Sequence, residues 1–392
     1  MKKQLLAIAT LLMIVSTLTG CTLLQSSTSS TTAPNQSNAT TTTTRTTAES
    51  SSSSVLTSVS GLETTLESIY AQVSPSVVLI NDNIPATATS FGGAALGSGF
   101  VWDTQGDIVT NNHVIDGATD ITVTFSDGTL VNATVVAADA DSDLAVIKVN
   151  PKGLQLQPVT LDKNTVQVGQ LAIAIGNPYG EQNTLTVGFV SAVGRLIPSI
   201  ENAVGPTFNI PDIIQTDAAI NPGNSGGVLL DDTGAVMGIT QSIETSSGSS
   251  SGVGFAIPAS IIEQVIPALI NTGVYHHPYL GITISSLDPT IATAMNLQSG
   301  QRGALVVAVT SGAPADKAGI KGGNTTITDN NAQVTIGGDV IIAFNGQTVK
   351  SSDDVITDLA DEGVVGQPVT LTIIRGGKQM NITVTPANRP TS

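Results

Sequence analysis

Three short stretches of this 392-residue chain carry side chains that can act together in acyl transfer. The first is Thr110-Asn111-Asn112-His113-Val114-Ile115, directly after a strand-like run. The second is Asp141-Ser142-Asp143, followed at once by Leu144-Ala145-Val146-Ile147. The third is Asn221-Pro222-Gly223-Asn224-Ser225-Gly226-Gly227. A serine hydroxyl is a weak nucleophile near neutral pH and needs an adjacent base. His113 can take the proton of Ser225 and later return it to a leaving amine. A carboxylate can hold the imidazole in one tautomer and stabilise the imidazolium. The glycines around Ser225 permit a sharp turn, so that the N–H groups of Gly223 and Ser225 can converge on one oxygen. Each such donor is worth roughly 3–4 kcal/mol in the transition state. The order is His, Asp, Ser, with intervals of 30 and 82 residues when the acid is Asp143. That is one of the three chain orders in which this triad occurs. Spacing alone leaves Asp116, Asp139, Asp141 and Asp143 open as the acid. Each piece also has a plain structural reading: a loop, a packing histidine, a surface turn. Order, strand context and glycine placement together favour chemistry.

Composition narrows the alternatives. Thirty acidic against 14 basic side chains give a formal charge of −16, opposite to the basic footprint of a nucleic-acid binder. One cysteine excludes intramolecular disulfides and cysteine-based zinc or iron–sulfur sites. Three histidines are too few for most histidine-rich metal sites. The pair His276-His277 lacks a third ligand and reads as a solvated strip. No metal and no cofactor is expected. With 40% hydrophobic and 3% aromatic residues, the chain can bury a core built from Val, Ile, Leu and Ala.

The elements that must position these residues are mostly strands. Runs rich in Val and Ile recur at Val77–Ile80, Gly99–Trp102, Asp107–Thr110, Ile121–Phe125, Leu130–Val136, Leu144–Val149, Leu171–Ile175, Leu185–Val193, Val228–Leu230 and Ala235–Thr240. Asp127-Gly128 reads as a hairpin turn. Many short strands with glycine turns fit two small packed barrels. Leu62, Leu66, Ile69 and Val73 have helical spacing, and Pro75 ends that helix. Ser260 and Glu263 have capping-box spacing before a second helix, which Pro267 should kink or end. Residues 271–277 read as a linker. A second β-rich domain spans 278–388, with a helix over Asp353–Leu359 capped by Ser351 or Ser352. Its last hairpin is Val369–Arg375 and Lys378–Val384, turned at Gly376-Gly377.

The first twenty residues read as a leader. Lys2 and Lys3 precede an apolar run, Leu5 to Leu18, too short for a good membrane span. Leu18-Thr19-Gly20-Cys21 resembles a bacterial lipobox, in which the cysteine is lipidated and becomes the mature N-terminus. Acyl chains on Cys21 would hold the protein at a membrane, each buried methylene adding about 0.8 kcal/mol. Without Lys2 and Lys3 the formal charge falls to −18, so charge would not draw the protein to anionic lipid. Ser and Thr fill 24 of the 39 positions from 22 to 60. Such a segment cannot offset its ordering entropy by burial and reads as a disordered tether spanning roughly 35 Å.

The chain resembles the HtrA/Deg family of serine endoproteases, a chymotrypsin-like double barrel followed by an α+β PDZ domain. The resemblance covers about residues 66 to 388. It rests on Gly97-Ser98-Gly99-Phe100-Val101, Thr110-Asn111-Asn112-His113, Ser142-Asp143-Leu144-Ala145, Ala174-Ile175-Gly176-Asn177-Pro178, Gln215-Thr216-Asp217-Ala218-Ala219-Ile220-Asn221, Gly223-Asn224-Ser225-Gly226-Gly227 and Gly254-Phe255-Ala256-Ile257-Pro258. It implies a mostly β fold, with a protease domain over 61–270 and a PDZ domain over 278–388. It selects Asp143 as the acid beside His113 and Ser225, with Gly223 and Ser225 forming the oxyanion hole. It places Ile220, Ile243 and Val253 in the pocket for the residue before the scissile bond, an apolar lining suited to Val or Ala. Tyr279-Leu280-Gly281-Ile282 matches the loop that receives a peptide C-terminus, the peptide adding as a strand beside Leu280–Ser285. Gly322 to Thr335 is a polar insertion into that pattern. The resemblance further implies a homotrimer, unfolded polypeptide substrates, PDZ-mediated regulation and a place in the bacterial envelope. Ile197–Asp212 is a candidate activation loop. The rival from another class is a non-catalytic PDZ adaptor or chaperone on an inactive protease scaffold. An esterase is a weaker rival, because the residues after Gly227 read as a strand and not as the helix of a nucleophile elbow.

Overall fold

The Val- and Ile-rich runs close into two six-stranded antiparallel barrels. The structure is a computed structural model that describes residues 51–84, 93–181, 183–198, 209–241, 252–329 and 332–390. Helix α1 (Ser51–Val73) leads in. It starts ten residues before the composition change at Gly61, and Ile69 and Val73 near its far end are buried. The first barrel contains β1 (Val77–Ile84), β2 (Gly93–Val101), β3 (Asp107–Thr110), β4 (Asp120–Thr124), β5 (Leu130–Asp139) and β6 (Leu144–Val149), closed in the order β1-β2-β3-β6-β5-β4. A one-turn helix, α2 (Asn112–Ile115), follows β3. The second contains β7 (Leu171–Gly176), β8 (Thr184–Pro198), β9 (Asn209–Thr216), β10 (Val228–Leu230), β11 (Val236–Gln241) and β12 (Gly254–Pro258), in the order β10-β11-β12-β9-β8-β7.

Period-2 alternation explains why these strands read as continuous apolar runs. In β6, Ala145 and Ile147 point into the first barrel with Val78, Ile80 and Ile108. Leu144 and Val146 point outward, but they meet Val77, Phe100 and Val109, together with Ile173, Ile175, Val228 and Leu230 of the second barrel. Both faces are buried, so no polar face is needed. The second barrel is filled by Ala172, Ala174, Val190, Ile214, Leu229, Met237 and Ala256, small enough for a narrow interior. Each fully buried Val, Leu or Ile contributes about 1.5–3 kcal/mol.

Helix α3 (Ala259–Thr272) packs Ile262, Val265, Ile266 and Leu269 onto the seam between the barrels. Two expectations about it are corrected. Its N-cap is Pro258 without a side-chain bond, so Ser260 lies inside the helix and not at a capping box. Pro267 neither kinks it to an end nor stops it; apolar burial on both sides carries the helix to Gly273, which closes it in the left-handed region at φ 78. The expected loop Ile197–Asp212 is also shorter than its sequence range. The β8–β9 ladder runs on to Ile197↔Ile210 and Pro198↔Asn209, leaving only 199–208 outside the described residues.

The C-terminal domain is a sheet in the order β14 (Ile282–Ser286), β15 (Ala304–Val309), β18 (Val340–Phe344), β20 (Val369–Arg375), β21 (Lys378–Val384). Short strands complete it: β13 (Pro278–Tyr279) pairs β22 (Ala387–Asn388), and β19 (Gln347–Thr348) pairs β18. One core joins Leu280, Ile341, Phe344 and Leu371 to helices α5 (Pro314–Ala318) and α6 (Ser352–Glu362). Ser351 caps α6 in a capping box with Asp354. The insertion forms a hairpin, β16 (Thr325–Asp329) and β17 (Ala332–Ile336). Its Ile327, Val334 and Ile336 pack with Leu305, Val340 and helix α4 (Pro289–Ala294) into a separate small core. Residues from Val55 onward form one compact unit holding both barrels and this domain.

Candidate active site

Strand register brings the first two motifs together. Thr110 of β3 lies opposite Ala145 of β6, so His113, three residues on, meets Asp143, two residues back. His113 Nδ1 lies 2.8 and 3.0 Å from the two Asp143 carboxylate oxygens, and the His113 backbone N–H donates to Asp143 Oδ1 at 2.9 Å. With the Nδ1 proton directed at the carboxylate, Nε2 carries the lone pair. Asp143 is buried at 2% exposure and stands in the left-handed region at φ 52. Its carbonyl accepts from Asn111 Nδ2 at 2.9 Å and from the Asn112 backbone N–H at 3.2 Å. Gln241 Nε2 donates to Asp143 Oδ2 at 3.0 Å. Three donors thus converge on one carboxylate, as an acceptor-only group requires.

The other acids face elsewhere. Asp139 meets His277 Nε2 at 2.8 Å and accepts from Ser142 Oγ and from the Ser142 N–H. Asp141 accepts from Arg389 Nη1 at 2.9 Å. Asp116 is exposed at the end of α2.

Ser225 is placed by β10, which begins at Val228 between Ile175 of β7 and Ile239 of β11. The loop before it docks on the first barrel. Ser98 N–H donates to the Ser225 carbonyl at 2.7 Å, and Ser98 Oγ donates to the Gly223 carbonyl at 2.7 Å. Ser98 Oγ in turn accepts from the Asn177 N–H at 2.8 Å. Glycine is obligatory here: a Cβ on Gly226, at φ 85, would lie 2.0 Å from the Ser98 carbonyl oxygen. On Gly223, at φ 94, it would lie 2.6 Å from the Asn177 carbonyl oxygen. The Pro222 carbonyl accepts from the Tyr179 N–H at 3.1 Å. The trans peptide plane therefore turns the Gly223 N–H away from Tyr179.

Matches to known proteins bear on this constellation. Residues 97–239 match the trypsin-like peptidase domain and 278–385 the PDZ domain. Protease Do-like 1, chloroplastic, of Arabidopsis thaliana is 40% identical over 329 residues, which is 82% of this chain and 71% of that protein. The chain belongs to the HtrA family. A probable periplasmic serine endoprotease, DegP-like, of Chlamydia trachomatis is 40% identical over 298 residues, 76% of this HtrA chain but only 55% of that relative. The solved HtrA-type protease AlgW with tripeptide is 32% identical, with a TM-score of 0.67 over 83% of this chain and 98% of that one. The protein is a serine endopeptidase with a PDZ domain.

In this HtrA protease the residues expected to line the pocket for the substrate residue before the scissile bond are distributed unevenly. Ile220 is buried with Ile214, Ala218 and Leu229 of the second barrel, and a Cβ on neighbouring Gly254 would lie 2.5 Å from its Cγ1. Val253, next to Gly254 in the chain, is exposed. Ile243 lies outside the described residues, as does Cys21. At the PDZ loop, Gly281 stands at φ 78, and a Cβ there would meet that of Ala313 at 2.2 Å. Leu280 is buried, Ile282 starts β14, and Tyr279 belongs to β13. Strand β14 is the outer strand of its sheet, paired among the described residues with β15 alone. Between it and α6 opens a cavity of about 530 Å³, lined by Leu280, Ile282, Ile284, Val355 and Leu359 and reaching Ile210 and Val265 of the protease. The inserted hairpin does not line it.

His277 is not part of a solvated strip. Its ring is mostly buried against Asp139 and stacks edge-on to Tyr275 at 4.8 Å. Gln241 and Arg389 are contributors that sequence reasoning missed, while Ser98 stood in a quoted motif without a role and His277 was given the wrong one. Gln241 carried no signal of its own, standing between Thr240 and Ser242 at the end of an apolar run. Among the described residues no group of three or more His, Cys, Asp or Glu is placed to hold a metal ion.

Proposed function

We propose that this endopeptidase works through His113, Asp143 and Ser225. The supporting observation is His113 Nδ1 at 2.8 Å from an Asp143 carboxylate that also takes the His113 N–H and Gln241. As His113 Nε2 removes the hydroxyl proton, Ser225 Oγ attacks the peptide carbonyl carbon. The N–H groups of Gly223 and Ser225 stabilise the oxyanion. His113 then gives the proton to the departing amine as the C–N bond breaks, and water hydrolyses the acyl-enzyme by the same steps reversed. Ile220, Ile243 and Val253 favour Val or Ala before the scissile bond. The fluorophosphonate test is direct: wild type takes up the label at Ser225, whereas Ser225→Ala and His113→Ala do not. Labelling of neither wild type nor variants would favour the adaptor reading.

The PDZ groove beside β14 receives peptide C-termini, with Leu280-Gly281-Ile282 offering backbone N–H groups to the carboxylate. It regulates cleavage; the support is that its cavity reaches Asn209, Ile210 and Pro211 of strand β9. Substrates are unfolded or damaged proteins of the bacterial envelope, in keeping with the periplasmic naming of the relatives. The enzyme is held there by lipid on Cys21 and acts as a homotrimer. Among the described residues no helix is long and apolar enough to cross a membrane. Incorporation of a radiolabelled fatty acid that survives in wild type and vanishes in Cys21→Ala tests the anchor.

A further inference from the structure

We infer that Leu96 and Tyr179 wall an apolar subsite on the leaving-group side of Ser225, one that takes an apolar residue just after the scissile bond. It rests on the peptidase reading above. Both side chains are large, apolar in body and open to solvent, at 41% and 59% exposure. Leu96 reaches the turn that carries Tyr179: a Cβ on Gly180, the next residue, would lie 3.6 Å from Leu96 Cδ1. Leu96 and Ser98 are two positions apart in the chain, so both project from the same face of β2. That face meets the nucleophile loop, since the Ser98 hydroxyl donates to the Gly223 carbonyl. Gly97, between them, faces Val114 of α2 instead.

The loop carrying Ser225 has two flanks. On one, Gly226 and Gly227 exchange backbone hydrogen bonds with Thr240 of β11. Ile220 and Val253 lie on that side, by way of β12. The acyl half of a substrate belongs there. On the other flank, Pro222 is bound by the Tyr179 N–H within the 3-10 turn Pro178–Gly180. The leaving half must cross this second flank, where Leu96 and Tyr179 stand.

The platform is fixed. Asn177 N–H is held by Ser98 Oγ, Asn177 Nδ2 by the Val78 carbonyl, and Gly180 N–H by the Asn177 carbonyl. Tyr179 itself stands at φ 55, a conformation rare for a bulky residue and not stabilised by burying its ring. Strain of this kind collects where a surface is used. An unfolded chain exposes the apolar residues that a folded one hides. Apolar walls on both sides of the cut bond would therefore select unfolded stretches without reading a sequence.

The test uses two fluorogenic peptides with Val before the scissile bond, followed by Leu-Leu in one and Ser-Ser in the other. Wild type should cleave the first with kcat/KM about tenfold higher, the scale of discrimination by an apolar wall. Leu96→Ser and Tyr179→Asn should each bring the ratio to about threefold, and the double variant near one. Asn is chosen because it tolerates the left-handed backbone. A wild-type ratio near one, or a ratio unchanged in the double variant, overturns the subsite. A chain that cleaves neither peptide and takes no fluorophosphonate at Ser225 removes the peptidase reading and the subsite with it. Labelling with no preference removes the subsite alone.

Discussion

Replacing Asp212 with Asn should stabilise the protein at neutral pH and leave it unchanged in acid. Asp212 lies on β9 near Asp361 of α6. Burial first, and repulsion from Asp361 second, push its carboxyl from 3.8 up to about 6. A native pKa above the unfolded value means the folded state holds more protons between pH 4 and 6. Stability then falls as pH rises through that window and stays low above it. A rise of about two units corresponds to at most about 3 kcal/mol. Asp212 is only half-buried, so solvent screening reduces this to about 1–2 kcal/mol. Asn keeps the side-chain oxygen that faces Gly194 and tolerates the left-handed φ of 54 at this position. Thermal unfolding at pH 4 should give matching Tm values for wild type and Asp212→Asn. At pH 7.5 the variant should melt about 3–6 °C higher. An equal Tm at both pH values would refute the idea that the PDZ helix and the protease strands repel each other through this pair.

Gln241→Ala removes a donor to a buried carboxylate and should lower kcat/KM about 10- to 100-fold, equivalent to about 1.5–3 kcal/mol. Gln241→Glu, which places a second carboxylate where Nε2 now lies, should lower it further and reshape the pH–rate profile. Gly226→Ala should abolish fluorophosphonate labelling and cost more than about 3 kcal/mol of stability, because its Cβ has no room beside Ser98 and its φ is left-handed. His277→Ala frees Asp139, and with it the turn through Ser142 to Asp143. Turnover and its response to a C-terminal peptide ligand should both change, and a variant kinetically identical to wild type would make that contact merely structural.

Where pattern and burial coincide, the sequence is a faithful guide. The hairpin Val369–Arg375 and Lys378–Val384 has the expected limits, because apolar alternation and the Gly376-Gly377 turn agree. The pairing of His113 with Asp143 follows from motif order, although choosing among four acids needed family resemblance. Strand β9 was hidden because Pro211 and a left-handed Asp212 interrupt its isoleucines, and only pairing with β8 and β12 holds it extended. Pro267 sits inside α3 because tertiary burial outweighs local propensity. The partnership of His277 with Asp139 spans 138 residues, a distance no local pattern encodes.

The wall of Val77, Phe100, Leu144, Ile173 and Val228 lies between the barrels, not within either. Neither half could keep these side chains dry alone, so the two should melt in a single cooperative step and separated halves should aggregate. The spacing of His113 and Ser225, one carried by each barrel, is thereby inherited from hydrocarbon contact, and a mutation that thins that layer should alter catalysis from a distance.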